Sequence, residues 1–127
     1  MIGSDAYNYI NVLGKAANAS QVRNEVLTNN LANVDTPNYK RQDVSFENYL
    51  QTAIAGNSSL DKAMRNLRLD SLNSSIYTDT ASLSYRLDGN NVDVDTENAY
   101  LAQNQIRYYT LVDSISQEFS RIKSVLK

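Results

Sequence analysis

Glycine and proline, the residues that most often interrupt helices and strands, are scarce in this chain, and their placement limits what it can fold into. Its 127 residues include four glycines and one proline, and none of these lies between Asn90 and Lys127. Within that uninterrupted run, apolar residues recur at spacings of three and four. They are Leu101, Tyr108, Val112, Ile115, Phe119, Ile122 and Leu126, with Gln105 as the polar member of the stripe. The pattern predicts a helix over residues 95–126 with a heptad seam along one face.

A second long helix is predicted at the N-terminus, over residues 4–34. Ser4 is a suitable N-cap, and small or apolar residues follow at the same spacing. The stripe comprises Ile10, Leu13, Ala17, Ser20, Asn24, Leu27, Leu31 and Val34. Helices of about thirty residues far exceed the mean length of about 11 and usually need a partner of similar length. We therefore expect the two helices to pair as a coiled-coil-like hairpin.

The residues between these helices, 35–94, predict shorter elements. Residues 36–39, Thr-Pro-Asn-Tyr, have the chemistry of a type II turn, with Asn38 at the position that requires positive φ. A short amphipathic helix is expected around Leu50, and Gly56 can end it. The chain should therefore reverse direction directly after the first long helix.

The remainder of this region predicts little regular structure. Residues 57–84 are rich in Ser, Asn, Asp and Thr, and we expect an irregular, mobile surface segment with a helical turn or two near Met64. Apolar and polar residues alternate on both sides of residues 88–91, Asp-Gly-Asn-Asn, which predicts a small β-hairpin. The alternating apolar residues are Leu83, Tyr85, Leu87, Val92 and Val94. The sequence thus predicts one mainly α unit over residues 1–127, with long N- and C-terminal helices, a short helix, a small β-hairpin and an irregular middle segment.

Composition argues against several classes of function. Twelve basic and fourteen acidic residues give a net charge of −2, so no sequence-wide field favours nucleic acid. The chain has no cysteine and no histidine, which removes the usual zinc sites, Ser-His triads and the commonest general base. No phosphate-binding glycine loop replaces them. We therefore expect neither an enzyme nor a cofactor, a metal or a small-molecule substrate.

Alternating acidic and amide residues, Asn91, Asp93, Asp95 and Glu97, suggest a calcium loop at first sight. The pattern lacks glycine at the sixth position and a carboxylate at the twelfth, so it does not match an EF-hand. Capping of the second long helix explains these acidic residues more simply.

Two stretches resemble a known family, the flagellar basal-body rod proteins. Residues 30–40, NLANVDTPNYK, resemble the N-L-A-N-x-x-T-P-G-Y-K signature of rod and hook proteins. Residues 87–95, LDGNNVDVD, and residues 105–109, QIRYY, are similar to the D-G-N-x-V-D-x-D and Q-x-x-Y patterns of the proximal rod branch. Asn38 stands where the family usually has Gly, and Asn is the next-best residue at positive φ. Many relatives carry extra residues after Arg86, so the resemblance does not extend to the geometry of the middle segment.

The resemblance implies a non-enzymatic structural subunit that polymerises into the helical driveshaft of the flagellum and joins it to the membrane ring. It implies export by the flagellar type III apparatus without a cleaved signal peptide, and a position in the rod within the periplasmic space. The first thirty residues lack a basic region followed by an apolar one, which agrees with that route. The implied partners are further copies of the chain, other rod proteins, the rod-base adaptor FliE, the ring protein FliF and the export apparatus.

Assembly contacts are expected on the two signature stretches and on the second long helix. Asparagines at the end of the first helix can cap it, brace the turn or bond to a neighbouring subunit. Apolar side chains off the main seam, such as Ile106, Leu111 and Val125, would remain exposed in a monomer and could pack on neighbours. The predicted interface comprises Asn29, Asn30, Leu31, Asn33, Thr36, Pro37, Asn38, Tyr39, Asp88, Gly89, Asn90, Val92, Asp93, Leu101, Tyr108, Val112, Ile115, Phe119, Ile122 and Leu126.

Two other functions fit the same pattern. A soluble helical adaptor or secretion chaperone also uses a heptad hairpin, but it should form a defined oligomer with ordered ends. Another rod protein of the same family is the nearer alternative, and the D-G-N-x-V-D stretch argues against it.

Overall fold

The computed structural model describes residues 2–81 and 86–126, apart from the side chains of residues 2–6 and 53–54. Four α-helices, two strands and one 3-10 turn follow in chain order within these ranges. They are α1 (Ile2–Ala32), β1 (Gln42–Ser45), α2 (Glu47–Ile54), α3 (Leu60–Asn66), the 3-10 turn Leu69–Ser71, β2 (Ser75–Thr78) and α4 (Val94–Leu126). The predicted mainly α class with two long terminal helices is confirmed.

The two long helices pack along each other in opposite directions. Near the end of α1, Asn30 contacts Glu97 in the first turn of α4. Further back along α1, the Gln21 side chain donates a hydrogen bond to the hydroxyl of Tyr108, farther along α4. This antiparallel pairing confirms the predicted helical hairpin and brings the end of α1 beside the start of α4.

The face of α4 that meets α1 differs from the predicted seam. Glu97 and Asn104 are buried there, and Leu101, Tyr108, Ile115 and Ile122 are half-buried on the same side. In contrast, Val112, Phe119 and Leu126 are 40%, 50% and 78% exposed. The prediction that these last three residues lie in the seam is wrong. Two inner positions of α4 hold the polar residues Glu97 and Asn104. A pattern of apolar residues alone therefore misplaces the inner face of this helix.

The middle segment completes the core, contrary to its predicted character as a surface segment. The predicted helical turn near Met64 is present as α3, and Ser59 caps it by accepting a hydrogen bond of 3.2 Å from the Lys62 N–H. Apolar residues of this segment then pack against α1 and α2. The buried cluster comprises Val12, Ala19, Phe46, Met64 and Leu72. Its buried members on α1, Val12 and Ala19, are β-branched or small, which leaves room for the large side chains of the middle segment.

The small sheet is present, but residues other than those predicted form it. Strands β1 and β2 are antiparallel, with Gln42 opposite Thr78 and Ser45 opposite Ser75. Residues 86–93, where the hairpin was predicted, form an irregular loop before α4. Of the predicted hairpin residues, Leu83 and Tyr85 lie outside the described residues. The alternating pattern around residues 88–91 does not reflect the two sides of a hairpin, because Val92 is buried while Leu87 is fully exposed.

Within the described residues, no helix is both long enough and apolar enough to span a membrane.

Candidate functional site

The two signature stretches lie against each other at one end of the helical hairpin. The first, residues 30–40, includes the end of α1 and turns back, and the second, residues 87–95, leads into α4. Because the helices are antiparallel, both stretches meet there and bury polar side chains between them. We call this group the polar clasp, and its members are Arg23, Asn30, Tyr39, Arg41, Asp43, Asp79, Asn90, Asn91, Glu97 and Tyr100.

Asn30 lies at the centre of the polar clasp and is completely buried. Its amide nitrogen donates to the Gln42 carbonyl at 2.8 Å and to the Glu97 carboxylate at 3.1 Å. Its amide oxygen accepts from the Gln42 N–H at 2.9 Å and from the Tyr39 hydroxyl at 3.0 Å. Both donor hydrogens and both acceptor positions of the amide are therefore used. An aspartate or a leucine at this position would leave at least one buried partner unsatisfied.

Arg41 supplies the positive charge of the polar clasp. Its Nε donates to Glu97, while Nη1 and Nη2 donate to Asp79 at 2.5 Å and to Asp43 at 3.0 Å. The side chain of Arg41 is 6% exposed and that of Glu97 is 1% exposed. Buried charges are tolerated only when they are paired and hydrogen-bonded, and here one guanidinium holds three carboxylates from three parts of the chain.

Arg23 on α1 adds a second cation beside the first. Its Nε donates to Asp43 Oδ1 at 2.8 Å and its Nη2 donates to Asp43 Oδ2 at 3.2 Å. The ring of Tyr100 lies 5.3 Å from the guanidinium carbons of both Arg23 and Arg41, within the range of cation–π contacts. The ion pair and the two cation–π contacts therefore connect α1, β1 and α4.

The pKa values of two groups reflect this arrangement. Burial raises the pKa of the Asp43 carboxyl, but hydrogen bonds from Arg23, the Val44 N–H and Arg41 outweigh it and leave that pKa below its ordinary value of 3.8. Burial lowers the pKa of the Arg41 guanidinium, whereas its hydrogen bonds to Glu97 and Asp43 raise it, and the net pKa lies above its usual range. Both shifts favour the charged forms, so the ion pairs persist at neutral pH.

Asn90, which is 1% exposed, holds the segment that directly follows α1. Its amide nitrogen donates to the carbonyls of Asn33, Val34 and Thr36 at 2.8, 3.0 and 2.9 Å. Its amide oxygen accepts from the Val92 N–H at 2.8 Å. These three carbonyls belong to the residues that directly follow α1, so the second signature stretch holds the chain where it leaves the helix.

The turn at residues 36–39 has the predicted geometry. The Tyr39 N–H donates to the Thr36 carbonyl at 3.3 Å, and Asn38 has a φ of 61°. The Asn38 N–H donates to the Asp88 carbonyl at 2.6 Å, which holds the turn against Gly89. Gly89 has a φ of 76°, and a Cβ atom there would lie 2.6 Å from Asn38 Oδ1. The positive φ favours glycine here, and any other residue would also have to displace the end of the Asn38 side chain.

The other predicted interface residues fall into two groups. Asn29, Asn33 and Thr36 interact locally at the end of α1, where Asn33 donates to the Asn29 carbonyl at 2.8 Å and Thr36 donates to Asn33 Oδ1 at 3.1 Å. Asp93 caps α4 by accepting from the Thr96 N–H at 3.1 Å, which supports the capping interpretation of the acidic residues. The α4 residues form the second group, since they lie along that helix outside the polar clasp.

Sequence reasoning missed seven members of this site, namely Arg23, Arg41, Asp43, Asp79, Asn91, Glu97 and Tyr100. A signal was present for Glu97, which precedes Leu101 by four residues and so places a charge in line with the apolar seam. Arg41 directly follows the first signature stretch. Asp43 lies two residues after Arg41, on the same face of an extended chain. Asp79 carried no local signal, because only the pairing of β1 with β2 brings it to Arg41.

Comparisons with known proteins agree with this arrangement. A family model described as "Flagella basal body rod protein" matches residues 10–40, which include most of α1 and the turn. The flagellar basal body rod protein FlgB of Bacillus subtilis is 40% identical over 116 residues, covering 90% of this chain and 89% of that protein. FlgB of Borreliella burgdorferi is 31% identical, covering 96% and 93%, and FlgB of Escherichia coli is 29% identical, covering 89% and 88%.

The long antiparallel helices and the buried polar clasp define a structural protein of the helical-hairpin class. The matches extend along nearly the whole chain, through both signature stretches. The chain belongs to the FlgB family of flagellar basal body rod proteins, and the resemblance expected from the two stretches is confirmed.

Proposed function

We propose that this chain is a subunit of the proximal rod, where it polymerises into the helical driveshaft and joins it to the membrane ring. Further copies, other rod proteins, the adaptor FliE and the ring protein FliF are its proposed contacts. The flagellar type III apparatus would export it, without a cleaved signal peptide, into the periplasmic rod.

One observation carries this proposal: the two signature stretches bond to each other inside the subunit. The Asn90 side chain donates to the Asn33 carbonyl just after α1, and Asn30 hydrogen-bonds Glu97 of α4. The polar clasp therefore holds α1 and α4 in one antiparallel register. A subunit that repeats along a filament must present the same surface in every copy, and a fixed register supports that requirement.

The burial of individual residues refines the proposed interface. Asn30, Asn90 and Val92 are buried and use their side chains within the subunit. The contacts with neighbours fall instead to exposed members of the predicted set, among them Asn29, Asn38, Asp93, Val112, Phe119 and Leu126. Half-buried residues of the α4 seam, such as Leu101 and Ile115, support the hairpin itself.

The experiment is complementation of a strain that lacks the native gene, followed by purification of basal bodies and mass spectrometry of the chain. We expect the chain in the rod, with an intact N-terminus and with crosslinks to FliE and FliF. The matched pair Asn30→Leu and Asn18→Leu places the same change at a buried and an exposed position of α1, and Asn18 lies outside the predicted interface. Asn30→Leu should reduce motility and incorporation, whereas Asn18→Leu should retain both.

A chain that stays in the cytosol as a defined oligomer and never enters basal bodies would contradict the proposal and favour the adaptor alternative. If Asn30→Leu entered basal bodies at the wild-type level, rod assembly would not depend on the helix register that the polar clasp holds.

A further inference from the structure

One dipeptide of the second signature stretch carries the means of its own modification. Aspartate followed by glycine occurs once in the chain, at residues 88 and 89, and asparagine followed by glycine does not occur. In such a pair the backbone nitrogen of the glycine can attack the carboxyl carbon of the aspartate, because glycine has no Cβ atom to obstruct the approach. On chemical grounds, Asp88 and Gly89 are therefore the place in this chain where the attack is easiest.

The reaction needs only water and leaves the mass of the chain unchanged. The Gly89 nitrogen bonds to Asp88 Cγ, and one carboxylate oxygen leaves as water with the amide hydrogen of Gly89 and a proton from solution. Water then adds to the α-carbonyl carbon of the resulting succinimide and breaks its bond to the Gly89 nitrogen. The nitrogen regains a hydrogen, a proton returns to solution, and the chain now continues through the β-carboxyl group as isoaspartate.

The folded chain holds both polar atoms of the peptide unit that would react. The Asp88 carbonyl accepts from the Asn38 N–H at 2.6 Å, and the Gly89 N–H donates to the Arg86 carbonyl at 3.1 Å. Lys40 Nζ donates to the Gly89 carbonyl and so holds the next peptide unit. For attack, the nitrogen must lose its hydrogen and approach the carboxyl carbon in the aligned geometry that bond formation requires. The hydrogen bonds on both sides of the nitrogen oppose that movement.

The carboxylate of Asp88 is held as well. Arg86 Nη2 donates to Asp88 Oδ2 at 2.9 Å, and the Asn90 N–H donates to Asp88 Oδ1 at 3.1 Å. Arg86 Nη1 also donates to the Val34 carbonyl at 2.6 Å, which fixes the guanidinium beside the segment that follows α1. Both reacting groups are therefore bound by residues that only the folded hairpin brings together.

We propose that Asp88 is a site of isoaspartate formation that folding closes. In the unfolded chain the dipeptide reaches the reactive geometry freely, whereas in the folded chain the turn must open first. A modification that requires local opening proceeds at a rate set by the population of the open form. This inference goes beyond the proposed function and does not depend on it, because it concerns every state in which the turn is open.

The modification should also prevent the turn from closing again. Isoaspartate adds one methylene group to the backbone between Asp88 and Gly89. Gly89 lies so near Asn38 that an added Cβ atom would be 2.6 Å from Asn38 Oδ1, so a longer backbone would press against this side chain. Asn90 would lose its alignment with the three carbonyls that it binds. Chains that isomerise while unfolded should therefore be excluded from the folded population.

Incubation of the full chain tests the proposal. Folded protein and protein in guanidinium chloride are kept at neutral pH and physiological temperature, then digested, and isoaspartate at position 88 is located by mass spectrometry. We expect it to form at least about tenfold faster in the denatured chain, because the folded chain must first break the hydrogen bonds of the turn. Asp88→Glu, whose longer side chain cannot form a succinimide, should give no signal at this position in either state.

A matched pair of arginine variants tests the part played by the turn. Arg86→Ala removes the donor to Asp88 Oδ2 and should raise the rate in buffer several-fold, but it should not change the rate in guanidinium chloride. Arg68→Ala makes the same exchange at an arginine whose side chain is 81% exposed, and it should leave both rates at their wild-type values. Circular dichroism shows whether each variant is folded. If Arg86→Ala does not fold, the wild-type rates below and above its guanidinium transition carry the comparison.

Two results would overturn the inference. Equal rates in the folded and the denatured wild-type chain would mean that the turn gives no protection, and no isoaspartate at position 88 in the denatured chain would mean that this is not a site. Refolding tests the exclusion of modified chains, since isoaspartate should be depleted from the folded fraction after the denaturant is removed. An equal share in the folded and the misfolded fractions would contradict that exclusion. Entry into basal bodies affects none of these measurements.

Discussion

Asn30 and Glu97 are 67 positions apart in the sequence, and a hydrogen bond of 3.1 Å joins the amide of one to the carboxylate of the other in the interior. Both side chains are completely buried. A shift of one helical turn between α1 and α4 would bury the Glu97 charge without Asn30 and Arg41. Burial of an unpaired charge is costly, so this pair penalises every alternative register of the two long helices.

Replacement of Glu97 tests how much the protein depends on this arrangement. Glu97→Ala leaves the guanidinium of Arg41 buried with one fewer carboxylate and should lower the free energy of unfolding by about 3–5 kcal/mol. Asp95→Ala, an exposed position in the same helical turn, should cost less than about 1 kcal/mol. Urea unfolding followed by circular dichroism measures both. Equal losses from the two variants would argue against a special role for the buried acid.

Arg41→Lys tests the geometry of the same site at constant charge. Lysine has one ammonium group in place of the planar guanidinium, so it cannot hold Glu97, Asp43 and Asp79 together. We expect a loss of stability of at least about 2 kcal/mol in urea unfolding. Lys40→Arg, an exchange of the same two residue types at the preceding, exposed position, should change stability little. A fully stable Arg41→Lys protein would mean that charge alone holds the site.

The lowered pKa of Asp43 predicts the dependence of stability on acid. A carboxyl whose pKa is lower in the folded than in the unfolded chain contributes stability above its unfolded pKa and loses it as the pH falls. The free energy of unfolding should therefore decrease progressively below pH 3.8, the ordinary value for this group. In Asp43→Asn this contribution is absent at every pH, so the acid dependence should be shallower. Asp113→Asn, an exposed change on α4, should keep the wild-type acid dependence.

Gly89 and Asn38 permit a double-mutant cycle. Gly89→Ala places a Cβ atom against Asn38 Oδ1 and also strains a φ of 76°, so we expect a loss of about 2–4 kcal/mol. Asn38→Gly removes the opposing oxygen and keeps positive φ accessible. In that background Gly89→Ala should cost about 1–2 kcal/mol, the backbone part alone. Additive effects of the two changes would show that no steric contact couples them.

Asn90→Ala should loosen the segment that directly follows α1. The substitution removes a side-chain donor shared by three carbonyls, each of which keeps one other donor, so we expect a loss of about 0.5–1.5 kcal/mol. Hydrogen exchange should therefore accelerate at residues 33–39 more than in the first half of α4. Asn29→Ala, whose side chain is exposed, is the control. If protection from hydrogen exchange at residues 33–39 were unchanged in Asn90→Ala, contacts other than those of Asn90 would hold this segment.

Local sequence determined the course of the helices and the turn between them. Scarce breakers and apolar spacing predicted α1 and α4, and the chemistry of residues 36–39 predicted positive φ at Asn38. These features depend on neighbours within a few residues, where backbone sterics and helical periodicity act. The signature stretches likewise identified the family, because a run of specific residues needs no folded context to be compared.

Tertiary structure alone decided which face of α4 turns inward and which strands pair. Glu97 and Asn104 look like surface residues until Arg41, Asn30 and the Ser20 carbonyl lie beside them. In the same way, β1 pairs with β2 although α2 and α3 lie between them in the sequence. A polar group can be buried at low cost only if its partner is already in place, and that partner can come from any distance along the sequence. The apolar pattern therefore fixed the helices, and the buried charges fixed their register.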